Sequence, residues 1–368
     1  MDFTFSAEQD ALRDVARSFL AAQAPGEYVR AMMEDDRGVT DEFWSRIVDL
    51  GWTGLLVPEA NGGAGMGVLE AVVVAEEMGR LPAPGPWLSS SVCATLMALR
   101  LGDTAALDAL AGGAVRGTVA VEEHGASDPL DAIETTATPD GDGWVLSGVK
   151  PYVIDGHTAD FVYVVARTAD DALGTFVVDA PAGELVPSMD VTRKVARLAL
   201  EGRAARRAGA DGDQREVLAR VCDDIAVVLC AESVGACDRA LDMATEYAKV
   251  RVQFDRPIAS FQAIRHKIVD MLHQLELARV ATHFAAWAAD ASPDDAIRES
   301  AAASVKGFVG EAAAMITAEN IQVHGGVGFT WDVDAHLLFR RVKANDVLFG
   351  RQGWQRQRLA DLVLSGAV

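Results

Sequence analysis

Cysteine is scarce: four among 368 residues, with no CxxC pair. A structural zinc site and a disulfide framework are therefore not expected. Cys222, Cys230 and Cys237 fall at near-helical spacing in an apolar segment, and with Cys93 they read as buried free thiols of a reducing compartment. Long apolar runs are missing too; none approaches the roughly 18 residues that cross a bilayer. The start, MDFTFSAEQDALRDV, lacks the basic stretch and apolar block of a secretory leader, so a soluble, cytoplasmic protein is expected. Positive charge is in deficit, with 33 Lys and Arg against 54 Asp and Glu and a net charge of −21. A broad nucleic-acid surface needs clustered cations and is argued against, whereas a small anion needs only a local positive pocket. Repeats, low-complexity tracts and HExxH-type spacings are absent. His266, His273, His283 and His336 accordingly read as helix residues facing partners rather than metal.

What is present is core. Half the residues are hydrophobic, and this length predicts two or three subdomains. The hydrophobic period changes twice. Residues 1–114 read as helices: SAEQDALRDVARSFLAAQ with Ser6 as N-cap, DEFWSRIVDLGW with a Gly-Trp stop, and GVLEAVVVAEEMGRL ending near Gly79. LVPEANGGAGMG between them is turn. Over residues 115–212 the period becomes two, in TVAVEEH, GWVLSGVKPYVI, FVYVVART and GTFVVDA, with a hairpin at DGDGWVLSGVK. Over residues 213–368 the helical period returns in four long segments with short connections, the pattern of an antiparallel four-helix bundle. The predicted class is α+β multidomain: a helical domain, a β-barrel-like domain, then the bundle.

One corner breaks the helical rhythm. RVQFDRPIASFQAIRHKIVDM, residues 251–271, crowds arginine, glutamine, phenylalanine and proline together. With FWSRIVDLGWTGLLVPEANGGAGMGVLEAVVVAEEMGR, GWVLSGVKPYVIDGHTADFVYVVART and IQVHGGVGFTWDVDAHLLFRRVK, it forms a set in order along the chain. That set resembles the acyl-CoA dehydrogenase family from end to end. The resemblance implies FAD, a homotetramer or heterotetramer, and oxidation of acyl-CoA thioesters between Cα and Cβ. It also implies an acyl-CoA ligand between bundle and β domain.

On that resemblance, Arg251 offers a donor fork to phosphate oxygens, Gln253 donates to the cofactor, and Phe254 packs against its adenine part. These contacts would reach the FAD of a neighbouring subunit, with Pro257 restarting the helix in its first turn. Gln322, Val323, His324, Gly325 and Gly326 would line the adenosine diphosphate portion, the glycines letting backbone approach closely. EEHGASD resembles the flavin loop: Ser127 and Asp128 match, while Val121, Glu123, His124 and Ala126 depart. Tyr152 stands where a ring-covering Trp is common, and Ile154 where a Thr is common. With two hydroxyls absent near the ring, weaker flavin binding or a ring shared with a different partner chain is expected.

The proton step needs a carboxylate in a dry pocket. The family's usual base position holds Phe349, and its second location falls on Ile225 followed by Ala226. Three explanations stay open. Asp224 or Asp346, otherwise solvated helix-face acids, takes over; the chain is half of a heteromer, even a non-catalytic half, whose partner carries the base; or the fold performs oxidase or monooxygenase chemistry. Arg340, Arg341, Lys343 and Arg351 form a basic run that ordinarily faces solvent; the resemblance places Arg340 near the substrate, and Arg351 replaces a Thr that would face the acyl pocket. Trp52 and Trp87 read as core or pocket wall. A helical scaffold without cofactor is opposed by Arg251, Phe254 and the glycine pair.

Overall fold

The computed structural model describes residues 5–123 and 127–368. It comprises two compact units, one of Met1–Arg30, Val72–Ala83 and Ala226–Val368, the other of Ala31–Ala71 and Pro84–Ile225. Secondary structure changes from helix to strand and back where the periodicity changes. Compactness follows a different division, because the N-terminal helices are shared between the two units.

The N-terminal helices are α1 (Ala7–Gln23), α2 (Gly26–Glu34), α3 (Asp41–Asp49), α4 (Val68–Arg80), a π-helix over Trp87–Ala94, α5 (Thr95–Leu101) and α6 (Thr104–Ala111). Local chemistry explains their starts. The Ser6 hydroxyl accepts from the Gln9 N–H at 3.2 Å and Gln9 Oε1 accepts from the Ser6 N–H at 2.9 Å, a complete capping box. Thr40 caps α3, and Gly51 (φ 73°) follows its end. Helix α4 ends at Arg80, next to Gly79, as the sequence suggests. A Cβ on Gly79 would lie 1.9 Å from the Glu232 carbonyl oxygen, and one on Gly235 would lie 1.7 Å from that of Glu76. These glycines are there because two helix backbones touch.

The strands are β1 (Gly117–Ala120), β2 (Thr136–Asp140), β3 (Gly143–Ser147), β4 (Val149–Ile154), β5 (Phe161–Arg167), β6 (Leu173–Asp179), β7 (Glu184–Leu185), β8 (Val195–Ala199) and β9 (Arg203–Ala208). The expected hairpin is β2–β3, turning at Gly141 (φ 59°). Pairing runs β5–β2–β3–β9–β6 and returns to β5, with β1 parallel to β5, so this sheet closes on itself in a barrel-like ring. A second sheet, β4–β8–β7, lies in the same unit, and Leu146, Val162, Val164 and Phe176 of the first share a core with its Val153 and Leu198.

The C-terminal helices are α7 (Arg215–Val250), α8 (Gln262–Ala291), α9 (Asp295–His324), α10 (Ala335–Val347) and α11 (Gln352–Leu364). A short hairpin, β10 (Val252–Gln253) with β11 (Arg256–Pro257), joins α7 to α8. Helix α9 packs against α8, α10 and α11. All four cysteines are free and buried; burial raises the Cys230 thiol to about 11 and raises Cys237 as well. Among the described residues, no helix is long and apolar enough to cross a membrane.

Candidate functional site

The corner after α7 is a closed structure. The Arg251 N–H donates to the Tyr247 carbonyl at 2.9 Å, and the Arg251 carbonyl accepts from the Ile258 N–H at 2.8 Å. Gln253 pairs with Arg256 across a two-residue turn made by Phe254 (φ 52°) and Asp255 (φ 63°). Such turns favour Asn-Gly, and a bulky residue at positive φ is an outlier of the kind that collects at ligand sites. Phe254 is 86% exposed. Its ring meets Phe261 edge-on at 6.0 Å, and the Arg256 guanidinium lies 4.1 Å from the Phe261 ring. Gln253 is exposed and its amide donates to its neighbour's carbonyl at 2.8 Å. Pro257 pairs with Val252 in the hairpin and caps a single 3-10 turn over Ile258–Ser260, and α8 itself begins only at Gln262.

Helix α9 ends in the glycine pair. Gly325 adopts φ 65° and ψ −142°, a conformation only glycine reaches easily. No atom lies within 4 Å of a Cβ placed on Gly325 or Gly326, so this backbone is open to approach. Gln322 is exposed, but Val323 and His324 are buried. His324 Nδ1 hydrogen-bonds the Asn320 carbonyl at 2.8 Å, and its ring stacks on Tyr247 at 4.4 Å. Those two side chains belong to the packing, and the segment presents Gln322 and bare backbone instead. The Tyr247–His324 stack also brings the ends of α7 and α9 side by side. The arginine corner and the glycine pair therefore share one end of the helices. An exposed cation, an amide, an exposed aromatic and open backbone form a donor set that suits FAD's pyrophosphate and adenine.

The other unit carries the positions expected at the flavin ring. On β4, Tyr152 is half-exposed, whereas Ile154 is buried with its carbonyl accepting from the Thr118 hydroxyl at 2.7 Å. After β1, Val121 is buried and Ser127 exposed, and Asp128 Oδ1 accepts from the Leu130 N–H at 2.8 Å. His124 and Ala126 lie outside the described residues. Trp52 and Trp87 are both core, the Trp87 indole N–H donating to the Trp52 carbonyl at 3.3 Å.

The base positions are closed to proton chemistry. Phe349 is 5% exposed in a left-handed turn (φ 54°), and Ile225 and Ala226 are fully buried. Asp224 is not a solvated acid; it is buried, with Oδ2 accepting from Arg100 Nη2 at 2.6 Å and Nε at 3.1 Å. Asp346 pairs with Lys343 at 3.2 Å, its other oxygen buried against Gly310.

The basic run also departs from expectation. Arg341 is fully buried, bridging to Glu232 at 2.6 Å and donating to the Pro82 carbonyl at 3.3 Å, while the Asn345 amide donates to Glu232 Oε2 at 2.8 Å. Arg340 is half-buried, with its guanidinium 5.7 Å from the Trp331 ring. Arg351 is exposed at the start of α11. His266 and His273 are exposed on α8, His283 approaches Glu76 at 3.3 Å, and His336 meets Trp331 edge-on. Among the described residues no three side chains could hold a metal. Sequence reasoning missed Lys150, an ammonium fully buried on β4, and the wholly buried π-helix. A lone Lys in an apolar strand is the only signal either one offered.

Two family models match: "Acyl-CoA dehydrogenase, N-terminal domain" over residues 6–118 and "Acyl-CoA dehydrogenase, C-terminal domain" over residues 217–364. The chain is 33% identical to the acyl-CoA dehydrogenase IpdE2 of Mycobacterium tuberculosis over 339 residues, 91% of this chain and 90% of that one. It is similar to a solved variant of the Tcur3481-Tcur3483 steroid ACAD, at 31% identity and TM-score 0.88 over 98% of both chains. The ChsE4-ChsE5 complex from Mycobacterium tuberculosis matches at 28% identity and TM-score 0.88 over 99% of both chains.

Proposed function

Since this chain belongs to the acyl-CoA dehydrogenase family, acting on CH–CH donors with FAD, we propose that it oxidises a bulky, steroid-type acyl-CoA thioester as one chain of a cytoplasmic heterotetramer. Bound FAD supplies the acceptor for the β hydrogen. Arg251 would neutralise pyrophosphate charge, Gln322 and the Gly325–Gly326 backbone would follow the nucleotide, and Phe254 would pack on the adenine; Tyr152, in the other unit, is the aromatic that would be offered to a flavin ring. The α proton of a thioester is weakly acidic and needs a carboxylate held in a dry site.

The observation that carries the heteromer is the closure of both base positions by Phe349, Ile225 and Ala226, while Asp224 and Asp346 are already paired. A homologous partner chain supplies the acceptor in this reading. Two solved relatives named for two components each support it. So do Val269, Leu272, Leu277 and Val280, apolar side chains exposed along α8, which a homologous helix would cover. Four buried free thiols suit a reducing compartment.

The test is colour. The chain expressed with a homologue that retains the glutamate should be yellow and bleach on adding a steroid acyl-CoA; the chain by itself should not bleach. Bleaching by the solitary chain would overturn the heteromer.

A further inference from the structure

The flavin-loop segment is drawn together at its neck. Lys150 of β4 is 0% exposed; its Nζ donates to the Val121 carbonyl at 2.8 Å and to Glu123 Oε1 at 2.6 Å. The Glu123 carboxylate in turn accepts from the Glu134 N–H at 2.7 Å and the Thr135 N–H at 3.1 Å. One ammonium and one carboxylate thus tie the outgoing limb, 121–123, to the returning limb, 134–135, and both to β4. Arg167 holds the returning limb from its other side, donating to the Ile133 carbonyl at 3.0 Å and the Asp131 carbonyl at 3.3 Å. Thr135 is pressed against Gly148, where a Cβ would lie 2.7 Å from the Thr135 Cα. The neck has no slack.

Burying an ion pair is seldom a gain in stability, since desolvation offsets the attraction. Burial pushes Lys150 down to about 8 against the pull of Glu123 and Glu122. Burial pushes Glu123 up, but the Lys150 charge and its hydrogen bonds bring it below the ordinary value. A costly pair at this place is explained by what it holds in register. β4 carries Tyr152 and Ile154, the loop carries Ser127, and these are the segments assigned to the flavin ring. Resting on that assignment, we propose that Lys150 is a positioning residue: through Glu123 and the Val121 carbonyl, it sets the spacing between the loop and β4 and so the environment of the ring.

The experiment compares wild type, Lys150→Met, and the double variant Lys150→Met with Glu123→Gln, each within its heteromer. The first readout needs no cofactor. Without its ammonium the Glu123 carboxylate turns to water, so Lys150→Met should speed amide exchange at Glu134 and Thr135 by about tenfold or more, leaving α8 and α9 unchanged. The second readout is the flavin's visible spectrum and midpoint potential, which should shift in both variants. The double variant carries no orphaned charge and should regain thermal stability without regaining the wild-type potential.

Unchanged exchange at Glu134 and Thr135 in Lys150→Met would overturn the latch. Faster exchange with wild-type spectrum and potential in both variants would overturn the positioning role. A wild-type heteromer that takes up no FAD would sink the functional reading and the ring-side role with it, whereas the latch still stands or falls on exchange.

Discussion

Replacing Arg251 with alanine separates cofactor binding from folding unusually well. The backbone of Arg251 closes the corner through its N–H to Tyr247 and its carbonyl from Ile258, and alanine keeps both bonds. The side chain is exposed and, among the described residues, has no hydrogen-bond or ion-pair partner. A surface change of this kind shifts stability by no more than about 0.5 kcal/mol. A charge-assisted hydrogen bond to a phosphate, by contrast, contributes about 1.5–3 kcal/mol. That corresponds to an FAD dissociation constant raised about 10- to 150-fold. Titrating the apo heteromer with FAD and following quenching of flavin fluorescence measures this directly. The loss should shrink as salt screens the phosphate contact, and Arg251→Lys should fall between, keeping the charge but losing the planar fork. An unchanged dissociation constant with an unchanged melting temperature would refute the placement of the pyrophosphate at this corner.

Arg341→Met should lower unfolding stability by about 3–5 kcal/mol, because Glu232 is left buried without its Arg341 cation. The double change with Glu232→Leu should recover most of that loss, and urea denaturation checks both. Gly79→Ala places a methyl carbon 1.9 Å from the Glu232 carbonyl oxygen and should cost about 1–3 kcal/mol, seen as a fall of several degrees in melting temperature. Lys150 binds its proton less tightly in the fold, at about 8 rather than 10.5. The unfolded chain therefore holds more protons between those values, and the Lys150 contribution to stability rises with pH across that window. Thermal melts from pH 8 to 10.5 should show that rise in wild type and its absence in Lys150→Met.

Much of this protein was legible before any coordinates. The short β-branched and aromatic runs GWVLSG and FVYVVAR, bounded by turn residues, and the capping box at Ser6 are set within a few residues, so they survive any tertiary arrangement. The corner at RVQF and the glycine pair stood out for another reason: their residue types are ones that packing alone would not select. Other positions misled because their meaning is set by distant chain. Gly79 reads only as the neighbourhood of a helix end, and nothing local shows that the Glu232 backbone lies against it. Arg341 reads as a solvated cation until Glu232 and the Pro82 carbonyl are found around it, and Asp224 as a surface acid until Arg100 is found on it. The inward turn of His324 is likewise met by Tyr247, on another helix.

Period and turn chemistry determined the elements and their order, because hydrogen bonds within a helix or across a hairpin are made by neighbours. Which charges are buried, which glycines carry a helix crossing, and how Lys150 draws a loop to a strand were decided only when the chain closed. Desolvation and close contact are properties of the surroundings, and those are assembled from residues far apart in sequence.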